Sequence, residues 1–305
     1  MNLRAAVLVC GVVLSPAALA DPHPMSSGAT PAPVTDANIA MVAETLTIDI
    51  GLRAASVRAA VTLENKGDAT SLVVGFPCAV GEDAGAIDPP CKLPLAVTAN
   101  GKRLKVATKK TTKTQSHWTW PMKLAAAEKV ELVVTYKAPL VNERYSVPAS
   151  GMGLFAYRLT TGARWAGPIG TLNITVDHMH DALLYVSPAG GKREPGRITW
   201  QLKDHEPTEE VLLIPYPRLG MAVATRAGAK TSAELRAKIA AGDVEKAKLE
   251  ALAKEMAKDG PELAKQWLPT ISQVSKVPLP AGDRVDATIK ESIELVKAMA
   301  ANAKK

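Results

Sequence analysis

The chain has 305 residues, enough to bury a real core in one large domain or two ordinary ones. Lys and Arg total 37 against 30 Asp and Glu, a formal charge of +7. The signs are mixed along the chain, so the balance describes a solvated surface and gives no argument for a nucleic-acid partner.

Met1 to Ala20 reads as a cleavable secretory signal. Asn2-Leu3-Arg4 supplies a short cationic start, Ala5 to Leu19 is nearly all apolar, and Ala18-Leu19-Ala20 has the small-x-small form that precedes cleavage. Lipidation at Cys10 fits poorly, because Val9 stands where a small residue is expected. An uncleaved anchor also fits poorly, because the apolar run is too short to cross a bilayer comfortably. The expectation is export to a periplasmic or extracellular space, with no transmembrane span in the mature chain.

Residues 21–40 are rich in Pro, Ser, Ala and Thr and predict a flexible linker. From Met41 to about residue 220 the apolar residues alternate with period two. Glu44 to Ile50 and Val57 to Leu63 read as strands, and Lys66-Gly67-Asp68 turns the chain into Leu72-Val73-Val74. Leu95 to Val106 predicts a hairpin, because Asn100-Gly101 favours the φ > 0 turn that joins strands tightly. Val130, Leu132, Val134 and Tyr136 share one face of a further strand. Leu154 to Leu159, Ile169 to Val176, Leu183 to Val186, Ile198 to Leu202 and Val211 to Ile214 complete the set. About a dozen short strands without intervening helices predict antiparallel sheets packed as a β-sandwich over residues 41–220.

Residues 221–305 change character and predict a helical C-terminal region. Thr231 to Glu234 has the form of a capping box, and Gly242-Asp243 reads as a stop followed by a new cap. Leu249, Leu252 and Met256 recur at helical spacing, Gly260-Pro261 is expected to end that helix, and a short further one holds Trp267. Val285, Ile289, Ile293, Val296 and Ala300 form the stripe of a last helix beginning near Asp283.

Cys10 leaves with the signal, so the mature chain keeps Cys78 and Cys91. Two cysteines in an exported protein imply a disulfide, which closes an acidic, Gly/Pro-rich loop and stabilises the fold by roughly 2–3 kcal/mol. A redox pair or thiolate metal site lacks a Cys-x-x-Cys spacing and further ligands.

Two segments together resemble a family of exported bacterial proteins of unknown function. One is Val61 to Gly67 continuing to Gly75-Phe76-Pro77. The other is Phe155 to Ile169, with its Tyr157, Thr161-Gly162, Trp165, Gly167 and Ile169, and Trp200 to Asp204, Pro207 and Glu209-Glu210 extend the match. The resemblance covers the β region and implies an exported β-sandwich. The first segment is also similar to the start of the vault/inter-alpha-trypsin type of β-sandwich, which implies an interaction module.

Three groups of residues are candidates for chemistry. His178 and His180, two apart on a strand, share a face and are weak candidates for a metal site, with Met179 pointing away; a polar strand end with hydrated histidines is the simpler account, since a metal needs further ligands. Trp118 and Trp120, preceded by Lys109, Lys110 and Lys113, form either an aromatic binding platform or part of the core. Tyr157 and Trp165 carry the same two readings. No nucleophile elbow, His-Glu-x-x-His or phosphate loop is present, and no cofactor is called for. The expectation is an exported noncatalytic envelope protein that binds a protein partner or ligand, such as a glycan. A metal-dependent hydrolase or a carbohydrate-binding module is the alternative.

Overall fold

The computed structural model describes residues 23–25, 38–51, 53–79, 88–111, 115–140, 155–180, 182–216, 228–275 and 282–304. The expected signal segment lies outside them. Strands β1 (His23–Met25), β2 (Ile39–Ile50), β3 (Ala54–Asn65) and β4 (Thr70–Ala79) come first. Strands β5 (Leu95–Ala99), β6 (Lys102–Arg103), β7 (Ala107–Lys110), β8 (Gln115–Leu124) and β9 (Lys129–Pro139) follow. β10 (Phe155–Tyr157) leads through a 3-10 turn at Thr160–Arg164 to β11 (Ile169–His178), β12 (Leu183–Ser187), β13 (Lys192–Glu194), β14 (Arg197–His205) and β15 (Val211–Pro215). Helices α1 (Ser232–Ala240), α2 (Lys246–Ser275) and α3 (Gly282–Asn302) close the chain.

The strands form an eight-stranded sheet, β13-β14-β11-β2-β3-β9-β5-β6, a four-stranded sheet, β1-β4-β8-β7, and a three-stranded sheet, β10-β15-β12. Period-two alternation drives the packing. Leu46, Ile48 and Ile50 of β2, Val57, Ala59 and Val61 of β3, and Leu132 and Val134 of β9 all point to one side of the large sheet. There they meet Val74, Phe76, Trp118 and Trp120 of the four-stranded sheet in one core. β2 and β11 run parallel, which the expectation of wholly antiparallel sheets did not include. Asn100 and Gly101 take φ of 47° and 75°, the conformation the hairpin reading required.

The three-stranded sheet is buried on both faces. Phe155, Tyr157, Val211 and Leu213 enter the sandwich core, while Ala156, Leu212, Ile214 and Leu184 enter a second core built with the helices. This is why Val211 to Ile214 is an unbroken apolar run: a strand covered on both sides has no solvent face to supply polar residues.

Two further elements depart from expectation. β1 pairs with β4 inside the segment expected to be a flexible linker. Its Met25 is buried against Gly75, where an added Cβ would come within 2.6 Å of the Met25 Cγ. The helix expected to stop at Gly260-Pro261 runs instead through both Pro261 and Pro269, and takes in Trp267. Leu252, Met256, Gly260, Ala264 and Leu268 fall four apart on one stripe, and an added Cβ at Gly260 would lie 3.2 Å from Ile289 of α3. A break at Gly260 would turn Ala264 and Leu268 off that face. Their burial offsets the bond Pro261 cannot make to the carbonyl four residues back.

Thr231 caps α1 by accepting from the Glu234 amide at 3.2 Å. Glu234 reaches back to the Lys230 amide at 2.6 Å, one residue before the cap. Asp243 does not cap α2; it pairs with Lys304 at 2.7 Å. Among the described residues no helix is long and apolar enough to cross a membrane.

Candidate functional site

Trp118 and Trp120 do share a face, but it is the inner one. They are 4% and 1% exposed, and Phe76 stands 6.2 Å from Trp118 and 5.5 Å from Tyr136 between ring centroids. Tyr157 and Trp165 are buried in the same core. An exposed aromatic platform is therefore not what these four side chains build. The parity argument finds which residues go together and leaves open which side of the sheet they face. Lys109 and Lys110 lie exposed on β7, the edge strand of the four-stranded sheet, where lysines discourage edge-to-edge pairing.

The motif around Tyr157 and Trp165 surrounds a buried ionic network. Arg158 Nε donates to Asp88 Oδ1 at 2.7 Å, with both side chains almost fully buried, and Arg158 also faces Glu210 at 3.7 Å. Glu210 accepts from the Leu159 and Thr160 amides at 2.7 and 3.1 Å and from the Thr160 hydroxyl at 2.8 Å. Loss of hydration pushes the Glu210 carboxyl up, against the pull of Arg158 and these donors. Asp88 lies between Cys78 and Cys91, which the disulfide joins, and the network ties Asp88 to β10 and the 3-10 turn. These contacts among described residues are internal to the fold, which fits a structural role.

His178, Met179 and His180 are all buried at the end of β11, Met179 included, so none of them is a hydrated strand end. Burial holds the His178 ring down to about 3 and the His180 ring down to about 4. For His178 the nearby charges of His180, Arg193 and Arg236 add to that effect. Among the described residues, His178 Nδ1 and His180 Nε2 have no hydrogen-bond partner. Asp177 is committed to Arg197 at 2.6 and 2.9 Å and to Arg236 at 2.7 Å. Asp181 lies outside the described residues. No group of three or more His, Cys, Asp or Glu among the described residues is placed to hold a metal.

Among the described residues, a groove of about 510 Å³ on the outer face of the eight-stranded sheet has the volume of a ligand site. Thr47 and Asp49 of β2, Ser56 and Arg58 of β3, Thr135 of β9 and Arg103 of β6 line it together with the apolar Val57, Pro94, Leu95, Ala96 and Tyr136. It follows the ladder register. Thr47 pairs with Arg58, Arg58 with Thr135, and Thr135 with Ala96. The same row continues beyond the groove to Thr175 and Thr199. Arg58 is thus an exposed guanidinium flanked by hydroxyls on both neighbouring strands. Among the described residues neither Arg58 nor Arg103 forms an ion pair. Asp49, two positions along β2 from Thr47, accepts instead from the Ser232 hydroxyl of α1 at 2.6 Å. Sequence reasoning missed this site. Its one signal was polar alternation along β2 and β3, which any solvated strand also shows.

No family model matches the chain, and no curated protein matches it. Among solved structures, a Legionella pneumophila protein described as a "putative nutrient binding protein" aligns with a TM-score of 0.52 at 15% identity, covering 94% of this chain and 98% of that one. The likeness extends over nearly the whole chain and is one of fold. An M1 zinc metallopeptidase from Deinococcus radiodurans aligns with a TM-score of 0.34 at 13% identity, covering 60% of this chain and 43% of its own. A score that low carries no argument about this chain.

Proposed function

We propose that this chain is an exported, noncatalytic envelope protein that binds a small ligand in the groove across β2, β3, β9, β5 and β6. The carrying observation is the groove itself: ligand-sized, open and mainly apolar in its lining, with a few polar side chains from adjacent strands of one sheet. The Legionella protein of similar fold bears a nutrient-binding description, which agrees with this reading. The disulfide fits an oxidising compartment. A metal-dependent hydrolase finds no support in the His178/His180 region, whose rings are buried without a third ligand among the described residues.

Membership of the exported family of unknown function belongs to the same proposal. Its motif residues Tyr157 and Trp165 pack in the core, and Glu210 holds the turn between them, which supports a fold-defining role for the motif.

The test is hydrogen exchange on the mature protein, with and without a small-molecule extract of its native envelope. Protection concentrated in β2, β3 and β9 is expected. Protection confined to the helices would overturn the site, and an affinity capture from the same envelope would then look for a protein partner. Intact mass of the protein recovered from cell fractions should show cleavage after Ala20.

A further inference from the structure

An acid directly across the strand from an arginine stabilises a sheet by roughly 0.2–1 kcal/mol. Arg58 forgoes that. Its strand has β2 on one side and β9 on the other, and the residues opposite it are Thr47 and Thr135. Protection of a sheet edge explains exposed cations on β6 and β7, such as Lys102 and Lys109, but it does not explain a cation on β3. Arg103 approaches the same groove from β6, so two guanidiniums from strands distant in sequence line one open volume. Guanidinium donors form a rigid planar fork that matches carboxylate and phosphate oxygens two at a time. Threonine hydroxyls beside the fork can donate to the same oxygens or accept from the rest of a polar solute.

We infer that the groove binds a small solute through an oxyanion group, a carboxylate or a phosphate, clasped by Arg58 and Arg103. The inference rests on the binding reading above and names its ligand class. The exposed cation Lys102, next to Arg103 on β6, would raise the local concentration of such a solute, and salt would weaken that steering. Asp49, diagonal to Arg58 across the β2–β3 ladder, supplies the opposite sign at that end of the groove, where it would repel a second anionic group.

The experiment is titration calorimetry at low ionic strength on the mature protein, with inorganic phosphate, succinate, citrate and glucose as separate probes. One-to-one saturable binding of at least one anion is expected, and the anion that binds tells phosphate from carboxylate. That binding should weaken at least tenfold in Arg58→Gln and in Arg103→Gln, and by less than twofold in Lys109→Gln, which lies outside the groove. Both arginines are exposed, so the variants should melt with the wild type in the absence of ligand. The inference is overturned if no anion saturates, or if Lys109→Gln weakens binding as much as the arginine variants do. Hydrogen exchange separates the two levels of the argument. Protection of β2, β3 and β9 by glucose or another uncharged solute, with the anions inert, would sink the oxyanion assignment and leave the groove as a binding site. No protection of these strands by any solute, the envelope extract included, would sink both.

Discussion

Acidification from pH 7 to pH 5 should cost this protein a large part of its stability through three buried histidines. Burial pushes His178 down to about 3 and His180 and His117 down to about 4, from an ordinary 6.5. Charge adds to this at His178 through His180, Arg193 and Arg236, and at His117 through Arg164. The folded-state values lie below the unfolded ones, so the unfolded chain takes up protons that the folded chain refuses. Stability is full above about pH 6.5 and falls as the pH drops toward the folded values. At pH 5 an unfolded imidazole lies about 1.5 pH units below its own midpoint, worth about 2 kcal/mol for each histidine. The three together remove about 6 kcal/mol, against a total stability of roughly 5–15 kcal/mol for a folded domain. Glu210 opposes them, since a carboxyl pushed up by burial binds its proton more tightly in the folded state. Urea unfolding followed by tryptophan fluorescence at pH 7, 6 and 5 measures the slope. Each single substitution, His117→Gln, His178→Gln or His180→Gln, should remove about a third of it. A wild-type stability that changes by less than about 1 kcal/mol over this range would refute the reasoning, as would an unaltered slope in all three variants.

Gly191→Ala places a Cβ 2.5 Å from the Trp200 ring and 2.8 Å from Ile198, and should cost about 1–3 kcal/mol by urea unfolding. Arg158→Met strands Asp88 and should cost about 3–5 kcal/mol, whereas Arg158→Met with Asp88→Leu should recover much of that loss; equal costs would deny the buried pair its role. Alkylation before reduction should label no cysteine of the mature protein, and Cys78→Ser with Cys91→Ser should lower stability by about 2–3 kcal/mol in a denaturant titration.

Strand parity was legible because it is local. The residues of β2, β3 and β9 that alternate in the sequence alternate in burial, and the Asn100-Gly101 turn took the backbone its composition demands. What the sequence withheld depends on partners far along the chain. Nothing near Ile169 to His178 announces that β11 lies parallel to β2. Gly170 carries one trace of it, since an added Cβ there would stand 2.7 Å from the Val42 carbonyl at the β2 bulge, yet an isolated glycine in a strand has many readings. The groove was hidden for the same reason. Thr47, Arg58, Thr135 and Arg103 become neighbours only after the register of four ladders is fixed. Pro261 misled because local propensity argues for a break, while the stripe from Leu252 to Leu268 and its burial on α3 argue more strongly for continuity.

The three-stranded sheet settles how the helical region relates to the sandwich. Removing α1 to α3 would expose Ala156, Leu184, Leu212 and Ile214, the face of β10, β12 and β15 that lies opposite the sandwich core. Polar contacts reinforce that apolar one. Ser292 of α3 donates to the Leu183 carbonyl at 2.9 Å, accepts from the Leu183 amide at 3.2 Å and accepts from Arg193 at 2.7 Å. Burial of Val285, Ile289, Val296 and Met299 on the same helix contributes roughly 1.5–3 kcal/mol each, more than the individual hydrogen bonds supply. The helices also reach the outer face of the large sheet, where Ser232 of α1 holds Asp49 and Arg236 holds Asp177. That contact fixes one end of the groove. Asp49, a lining residue of the groove, is therefore held by α1, so the helical region positions one side chain of the site as well as stabilising the sheet behind it.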